Sequence, residues 1–331
     1  MEICIKNNIS ELYWHSIKLR IKFIKIYFLW KCDFMKVSTT TSRIAKRFDD
    51  FTSLKVIADA GFDAVDYSMF CMNEEKNCIL NTDGYKEHIL KVKEYAQSLG
   101  LHFNQAHAPF PTLRDGDEEY NKENFPKVKR AIEIAGMLGI ENIVIHPVVF
   151  KENQKEKNIE MYLELAEVAK KSNVKIALEN MFGKTNPETN KKLPNVCSLG
   201  EEFADYYDAL PKEYFSCCVD IGHCGLVGST AGEMIRTLGS RVACLHTHDN
   251  NEFDDLHYPP FMFDLDWDDI AKALAEIDYN GYITLESDCV YDQMPLDIVP
   301  YMAKYMCEAA KKLGRMIEDY KKELKKWILV K

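Results

Sequence analysis

The chain has 331 residues, 47% of them hydrophobic, which is enough for one large α/β barrel or two medium domains with a full core. Its formal net charge of -10 repels phosphate backbones, so nucleic acid is not an expected partner. Eleven cysteines would be many for a disulfide scaffold, but several lie in apolar strand-like runs such as "SCCVDIGHC", and no secretion signal is recognisable. They read as reduced thiols of a cytoplasmic protein.

Residues 1–34 stand apart. "IKFIKIYFLW" is apolar but broken by lysines and too short to span a bilayer, so no membrane partner is expected. It lacks the small-residue cleavage pattern of a signal peptide. The segment has no helix caps and little turn chemistry, and Met35 then opens a clean strand-like run. The expectation is that residues 1–34 form a non-core N-terminal extension, disordered or a mis-called start, with a poorly packed helix as the alternative.

From Met35 onward, short apolar runs alternate with longer amphipathic ones. The strand-like runs are "KVSTT", "FDAVDYS", "HFNQAHA", "NIVIHPV", "KIALENM", "FSCCVDI", "VACLHTH" and "YITLES". Helix-like segments over 85–100, 124–139 and 159–173 separate them and end in Gly or Asn, as helix C-termini often do. Eight strand–helix units predict a single-domain (β/α)₈ TIM barrel over 35–320, followed by a C-terminal tail at 321–331. A doubly wound open sheet is disfavoured because no glycine-rich turn follows the first strand.

A barrel of this kind carries its chemistry at the C-terminal ends of its strands. The third strand ends on His107, the fourth on His146 and the fifth on Glu179. The sixth ends on Asp220 and His223, the seventh on His246 and His248, and the eighth on Glu286. One such residue alone is more often a solvated or hydrogen-bonded side chain than a ligand. Six successive strands ending this way make a ring of ionisable groups that needs a cation or hydrogen-bonding partners. Mixed imidazole and carboxylate ligands suit Zn²⁺, Mn²⁺, Co²⁺ or Fe²⁺ better than Ca²⁺. The expected cofactor is a divalent metal such as Mn, Zn, Co or Mg.

The ordered motifs "HAPF", "IHP", "LEN", "VDIGH", "HTHDN", "DDLH", "DLDW" and "LES" carry a family resemblance. From Met35 to about Gly314 the chain resembles the xylose isomerase-like TIM barrel superfamily. That group includes sugar and sugar-phosphate isomerases and epimerases, inosose dehydratases and endonuclease IV-type enzymes. The resemblance implies one divalent metal held by Glu179, Asp220, His246 and Glu286, with His223 touching a substrate oxygen. His107, His146, His223, Asp255 and His257 match positions that hold further zinc ions in the endonuclease relatives. One departure stands out. Where many relatives carry glycines after the seventh strand, this chain has Phe261 and Phe263. Either these rings wall the site with an aromatic surface, or they pack beneath the loop.

The implied activity is a metal-dependent isomerase or epimerase acting on a small sugar. Glu179 and Glu286 are the expected acid and base, moving a proton next to a carbonyl. His107 and His223 would orient oxygens, and His146 is either a ligand or a rim residue. His248 lies on the same strand face as His246 or already in the loop. Asp249 and Asn250 are expected to orient imidazoles. Lys184 is a weak candidate for an anion contact, and without a glycine cradle an unphosphorylated sugar is favoured. The segment "PPFMF" would receive a deoxy carbon or a partner subunit of a homo-oligomer. The alternatives are an inosose dehydratase-like lyase, an endonuclease IV-like apurinic endonuclease, and a non-catalytic metal- or polyol-binding barrel. For the N-terminal segment, the native protein's intact mass is expected to correspond to a start at Met35; a mass that includes residues 1–34 overturns that reading.

Overall fold

The computed structural model describes residues 35–330; the expectations for residues 1–34 lie outside the described residues. The strands are β1 (Val37–Thr40), β2 (Ala64–Ser68), β3 (His102–His107), β4 (Asn142–Val144), β5 (Lys175–Glu179), β6 (Phe182–Thr185), β7 (Lys192–Pro194), β8 (Phe215–Asp220), β9 (Val242–His246) and β10 (Ile283–Leu285). Eight of them form one sheet in the order β10-β1-β2-β3-β4-β5-β8-β9, and every neighbouring pair is parallel. The ring closes through a bridge between Thr247 and Leu285, where the Thr247 amide donates to Thr284 O and the Glu286 amide donates to Thr247 O. This is the (β/α)₈ barrel that the alternating pattern predicts.

Local chemistry explains where the helices begin and end. Asp49, Asp117, Thr230 and Asp266 each accept a backbone N–H from the first turn of the helix that follows, the ordinary N-cap bond. The helix expected over 124–139 spans Glu118–Leu138, because its cap is Asp117 rather than a residue near 124. Gly139 and Asn173 end two helices in the left-handed conformation.

Two features depart from the sequence pattern. β6 and β7 form an antiparallel hairpin inserted after the fifth barrel strand, outside the eight-unit repeat. The final helix, Val299–Val330, runs through the boundary placed at 320/321. Lys321 on this helix is buried, and its Nζ donates to Tyr279 O at 2.5 Å and Asn280 Oδ1 at 3.0 Å.

The strand pleat positions the site. Val144, Ala177, Cys218 and Cys244 form a small buried cluster separate from the main core. Each lies two residues before a strand-end group: His146, Glu179, Asp220 and His246. Residues two apart share a face, so these four small apolar side chains are a floor beneath the polar groups. The other half of the barrel has a polar floor. Ser38 Oγ donates to Asn104 Oδ1, Asn104 Nδ2 to Thr284 Oγ1, Thr284 Oγ1 to Gln105 Oε1, and Gln105 Nε2 to Asp66 Oδ2. The β2–β3 register skips Asn104, and this irregularity lets the adjacent Asn104 and Gln105 join one network.

Candidate metal centre

The strand ends bring three groups of ligand atoms together. His107, Glu179, His246 and Glu286 form the first; Glu179, Asp220 and His223 the second; His223, His248, Asp255 and His257 the third. Within each group the ligand atoms lie within 4.8 Å of one another. Glu179 joins the first group to the second, and His223 joins the second to the third. The four residues matched to a single metal are therefore divided between two groups that share Glu179. His146 falls outside all three groups but contacts the first, with Nε2 2.8 Å from Glu179 Oε2.

Imidazoles and carboxylates alternate throughout. His246 Nδ1 is 2.7 Å from Glu179 Oε1 and 3.6 Å from Glu286 Oε2. His107 stacks on His246 at 4.2 Å between ring centroids, with Nε2 3.6 Å from Glu286 Oε1. In the third group His257 Nε2 is 3.1 Å from Asp255 Oδ2, and its ring stacks on His248 at 4.0 Å. His248 is fully buried, with Nε2 3.0 Å from Asp220 Oδ1, so it belongs to the site rather than to the loop.

Supporting residues hold these side chains in place. Asn180 clamps the strand-six end: its side chain exchanges two hydrogen bonds with the Asp220 backbone, and its carbonyl lies 2.8 Å from His223 Nδ1. Asp220 also accepts the His223 amide, which starts the short helix Ile221–Leu226. Gly222 is required by packing. A Cβ built there would lie 1.9 Å from His248 Cε1. His257 holds a left-handed backbone at φ 49°, uncommon for a side-chain-bearing residue and frequent at functional sites.

Sequence reasoning missed Asp66. This residue ends the apolar part of β2, is fully buried, and puts Oδ2 3.2 Å from His107 Nδ1 and 3.5 Å from His246 Nε2. An acid inside the apolar run "FDAVDYS" was the available signal. Asp249 was expected to orient an imidazole, yet it organises the following loop. Its carboxylate accepts the amides of Met262, Phe263 and Leu265 and the Trp267 indole N–H. Asn250 donates to Gly222 O and so supports the turn beneath His248. Glu252 pairs with Lys191 at 2.9 Å.

A cavity of about 320 Å³ opens onto the groups, reaching His146, Glu179, His223, Asp255, His257 and Glu286. Its apolar walls are Phe70, Phe110, Met181 and Phe182. Phe261 and Phe263 are not among its lining residues. Phe261 packs on Trp267, as the packing alternative has it, whereas Phe263 meets Tyr258 but stays exposed; neither ring walls the cavity. Phe261 keeps a left-handed backbone at φ 71°, so the conformation suited to glycine persists without the glycine. Lys184 is exposed on β6 and does not line the cavity. A larger cavity of about 490 Å³ lies at the opposite ends of the strands, near Glu141, Lys175 and Tyr214, and includes none of these ligands.

The donor set fits a cation. Among the described residues His107 Nε2, His246 Nε2, His248 Nδ1 and Asp255 Oδ1 are buried without a hydrogen-bond partner, and Glu179 Oε2 meets His146 without hydrogen-bond geometry. Electrostatics agree. Burial opposes ionisation of Glu179, but the adjacent His246 and His146 hold its carboxyl well below the usual range. Burial disfavours a charged His223, but Asp220 and Asp255 push it up to about 10. Against the same opposition, Cys218, Glu179 and Glu286 push His246 well upward, and Asp255 does so for His257. The carboxylates thus hold positive charge in place, as protons on imidazoles or as metal ions.

The model of the xylose isomerase-like TIM barrel family matches residues 54–308, and the chain belongs to that family. It is 28% identical to the uncharacterised protein MJ1311 of Methanocaldococcus jannaschii over 201 residues, covering 56% of this chain and 64% of that protein. Three such relatives are spanned over only 51% to 66% of their own length. A D-psicose 3-epimerase of Enterocloster bolteae is 23% identical over 246 residues, 70% of this chain and 74% of the epimerase. The crystal structure of the IOLI protein with a bound zinc atom shares the fold, with a TM-score of 0.61 at 19% identity, covering 86% of this chain and 99% of that one.

Two expectations follow from this geometry. Gly222→Ala, by displacing the His248 ring, is expected to keep the far-ultraviolet circular dichroism of the barrel while lowering the divalent-metal content measured by elemental analysis; unchanged content overturns the role given to that contact. Cation binding must displace the raised imidazole protons, so affinity is expected to rise between about pH 6 and about pH 9 with net proton release. Calorimetric titration in buffers of different ionisation enthalpy reads both effects, and a pH-independent affinity contradicts the assignment.

Proposed function

We propose that the chain is a divalent-metal-dependent sugar isomerase or epimerase that moves a proton at the carbon next to a carbonyl. The observation that carries this reading is the first ligand group. Glu179 and Glu286 both approach Nδ1 of His246, at 2.7 Å and 3.6 Å, and both line the same small cavity. A cavity of about 320 Å³ is at the lower end of the range for small-molecule sites.

The chain's own groups divide the work. One glutamate removes the proton and the other returns it, which is why two carboxylates must face one substrate. His107 presents an unpartnered Nε2 among the described residues, 3.6 Å from Glu286 Oε1; it is fully buried and does not line the cavity, which suits it to the metal rather than to substrate. His223 is fixed through Nδ1 by Asn180 O, leaving Nε2 toward Asp220 and Asp255. Phe70, Phe110 and Phe182 limit water around the reacting carbon. His107, Glu179, His246 and Glu286 would hold the metal, with Asp220 in the adjoining group that shares Glu179; His223, His248, Asp255 and His257 offer a second position. When bound, a divalent ion stabilises the negative charge that develops on two adjacent substrate oxygens. The epimerase and the zinc-bearing IOLI protein among its relatives support the same reading.

A second reading rests on the third ligand group. Three linked groups are what the resemblance to apurinic endonucleases implies for a multinuclear site. The net charge of -10 and the pairing of the rim cations Arg43 and Lys46 with Asp292 and Glu74 weigh against a DNA-facing surface. A nicking assay on abasic duplex DNA separates the two readings.

The proposal predicts incorporation of solvent deuterium next to the carbonyl when the metal-loaded protein is incubated with a panel of ketohexoses. Glu179→Gln and Glu286→Gln are each expected to lower that exchange by about 100-fold or more while the circular dichroism is unchanged. Substantial exchange in both variants sinks the assignment of these residues.

A further inference from the structure

Beside the metal centre, the short helix Cys71–Glu74 carries a feature that the proposed chemistry does not use. Its first residue, Cys71, has Sγ 2.8 Å from Sγ of Cys78. A disulfide bond is about 2.05 Å long, so bonding requires the two sulfurs to approach by only about 0.8 Å. The residues between them favour that movement. Glu75, Lys76 and Asn77 form an exposed link after the helix, and Asn81 Nδ2 already ties the segment by donating to Met72 O at 2.8 Å. A cleft of about 290 Å³ is lined by both Cys71 and Cys78, and it shares Lys46, Phe70 and Glu74 with the wall of the metal-site cavity.

We propose that Cys71 and Cys78 are a reversible disulfide site, and that the cross-link fixes the segment whose Phe70 ring walls the metal centre. Phe70 immediately precedes Cys71, and its ring centroid lies 5.1 Å from His107 and 6.4 Å from His146. Glu74, at the other end of the same helix, pairs with Lys46 on the cavity rim at 2.7 Å. Restraining Cys71 therefore restrains one wall of the cavity from behind.

The chemistry is a thiol–disulfide exchange with a small disulfide as oxidant. The Cys71 thiol donating to Cys78, together with the Leu80 and Asn81 amides, holds the Cys78 thiol below its usual range against the effect of burial. Cys78 thus supplies the attacking thiolate. It bonds to one sulfur of the oxidant and expels the other as a thiolate. Cys71 then loses its proton to solvent and attacks the Cys78 sulfur, forming the internal bond and expelling the second thiolate. Two electrons pass from the cysteine pair to the oxidant, and the two released thiolates take up protons. Cys197, Cys217, Cys218 and Cys224 are fully buried and should not compete. Cys289, partly exposed at the metal cavity, is an internal control for an accessible thiol.

The test uses the full chain with hydroxyethyl disulfide, followed by alkylation with N-ethylmaleimide, digestion and mass mapping. The expected product joins the Cys71 and Cys78 peptides with the loss of two hydrogens and is reversed by dithiothreitol. Cys71→Ser should leave only a mercaptoethanol adduct on Cys78, and both it and Cys78→Ser should melt like the parent under reducing conditions. Oxidation should raise the melting temperature by a few degrees and slow amide exchange across residues 69–75 by about tenfold. Separate adducts on Cys71 and Cys78, or reaction at Cys289 alone, overturn the disulfide. A cross-link that leaves exchange across 69–75 unchanged overturns its coupling to the cavity wall.

Discussion

The structure depends on the burial of carboxylates at the mouth of the barrel. Asp66, Glu179 and Asp220 have almost no solvent contact, and Glu286 has little. Taking one ionised carboxylate out of water costs several kcal/mol, and four in one place are tolerable only with positive charge between them. The imidazoles of His107, His146, His223, His246 and His248 supply the positions for that charge. The same arrangement that makes the fold electrostatically demanding makes it a candidate metal site: each imidazole proton held by a carboxylate is one that a divalent cation can replace.

The rest of the barrel top keeps that array rigid. Asn180 fixes the Asp220 backbone and faces the His223 ring with its carbonyl. Gly222 leaves room for His248, and Asn250 holds Gly222 from the other side. Asp249 accepts one indole and three loop amides beyond its own neighbour, and so ties the long segment after β9 to the strand that carries His246. Below, the floor is divided: small apolar side chains under one half of the ligands, a connected polar network under the other. Asp66 belongs to that network and touches two of the site imidazoles, which links the core of the barrel to the chemistry at its mouth.

Much of this was legible in the residues. The alternation of short apolar and long amphipathic runs gives eight strand–helix units, and the residues at which six of the apolar runs stop give the candidate ligands. Strand period explains why: side chains two apart point the same way, so an inward apolar residue announces an inward ligand two positions later. Asp66 escaped notice because a single acid in an apolar run looks the same whether it faces the barrel axis or a helix. The β6–β7 hairpin escaped because it lies outside the eight-unit repeat. Phe261 misled because its type suggested a wall, whereas its direction is set by packing on Trp267.

The sequence by itself determined the barrel, the order of its strands and the identity of nearly every ionisable group at its mouth, because these follow from local periodicity and composition. Only the tertiary structure decided how those groups are shared. It divided the strand-end residues into three linked groups, made Glu179 and His223 the links, and brought His248 into the site while turning Asp249 to the loop. The reason is that grouping depends on distances across the barrel mouth between strands far apart in the chain. Those distances are set by the closure of the ring and by single contacts such as Gly222 against His248, which no local pattern encodes.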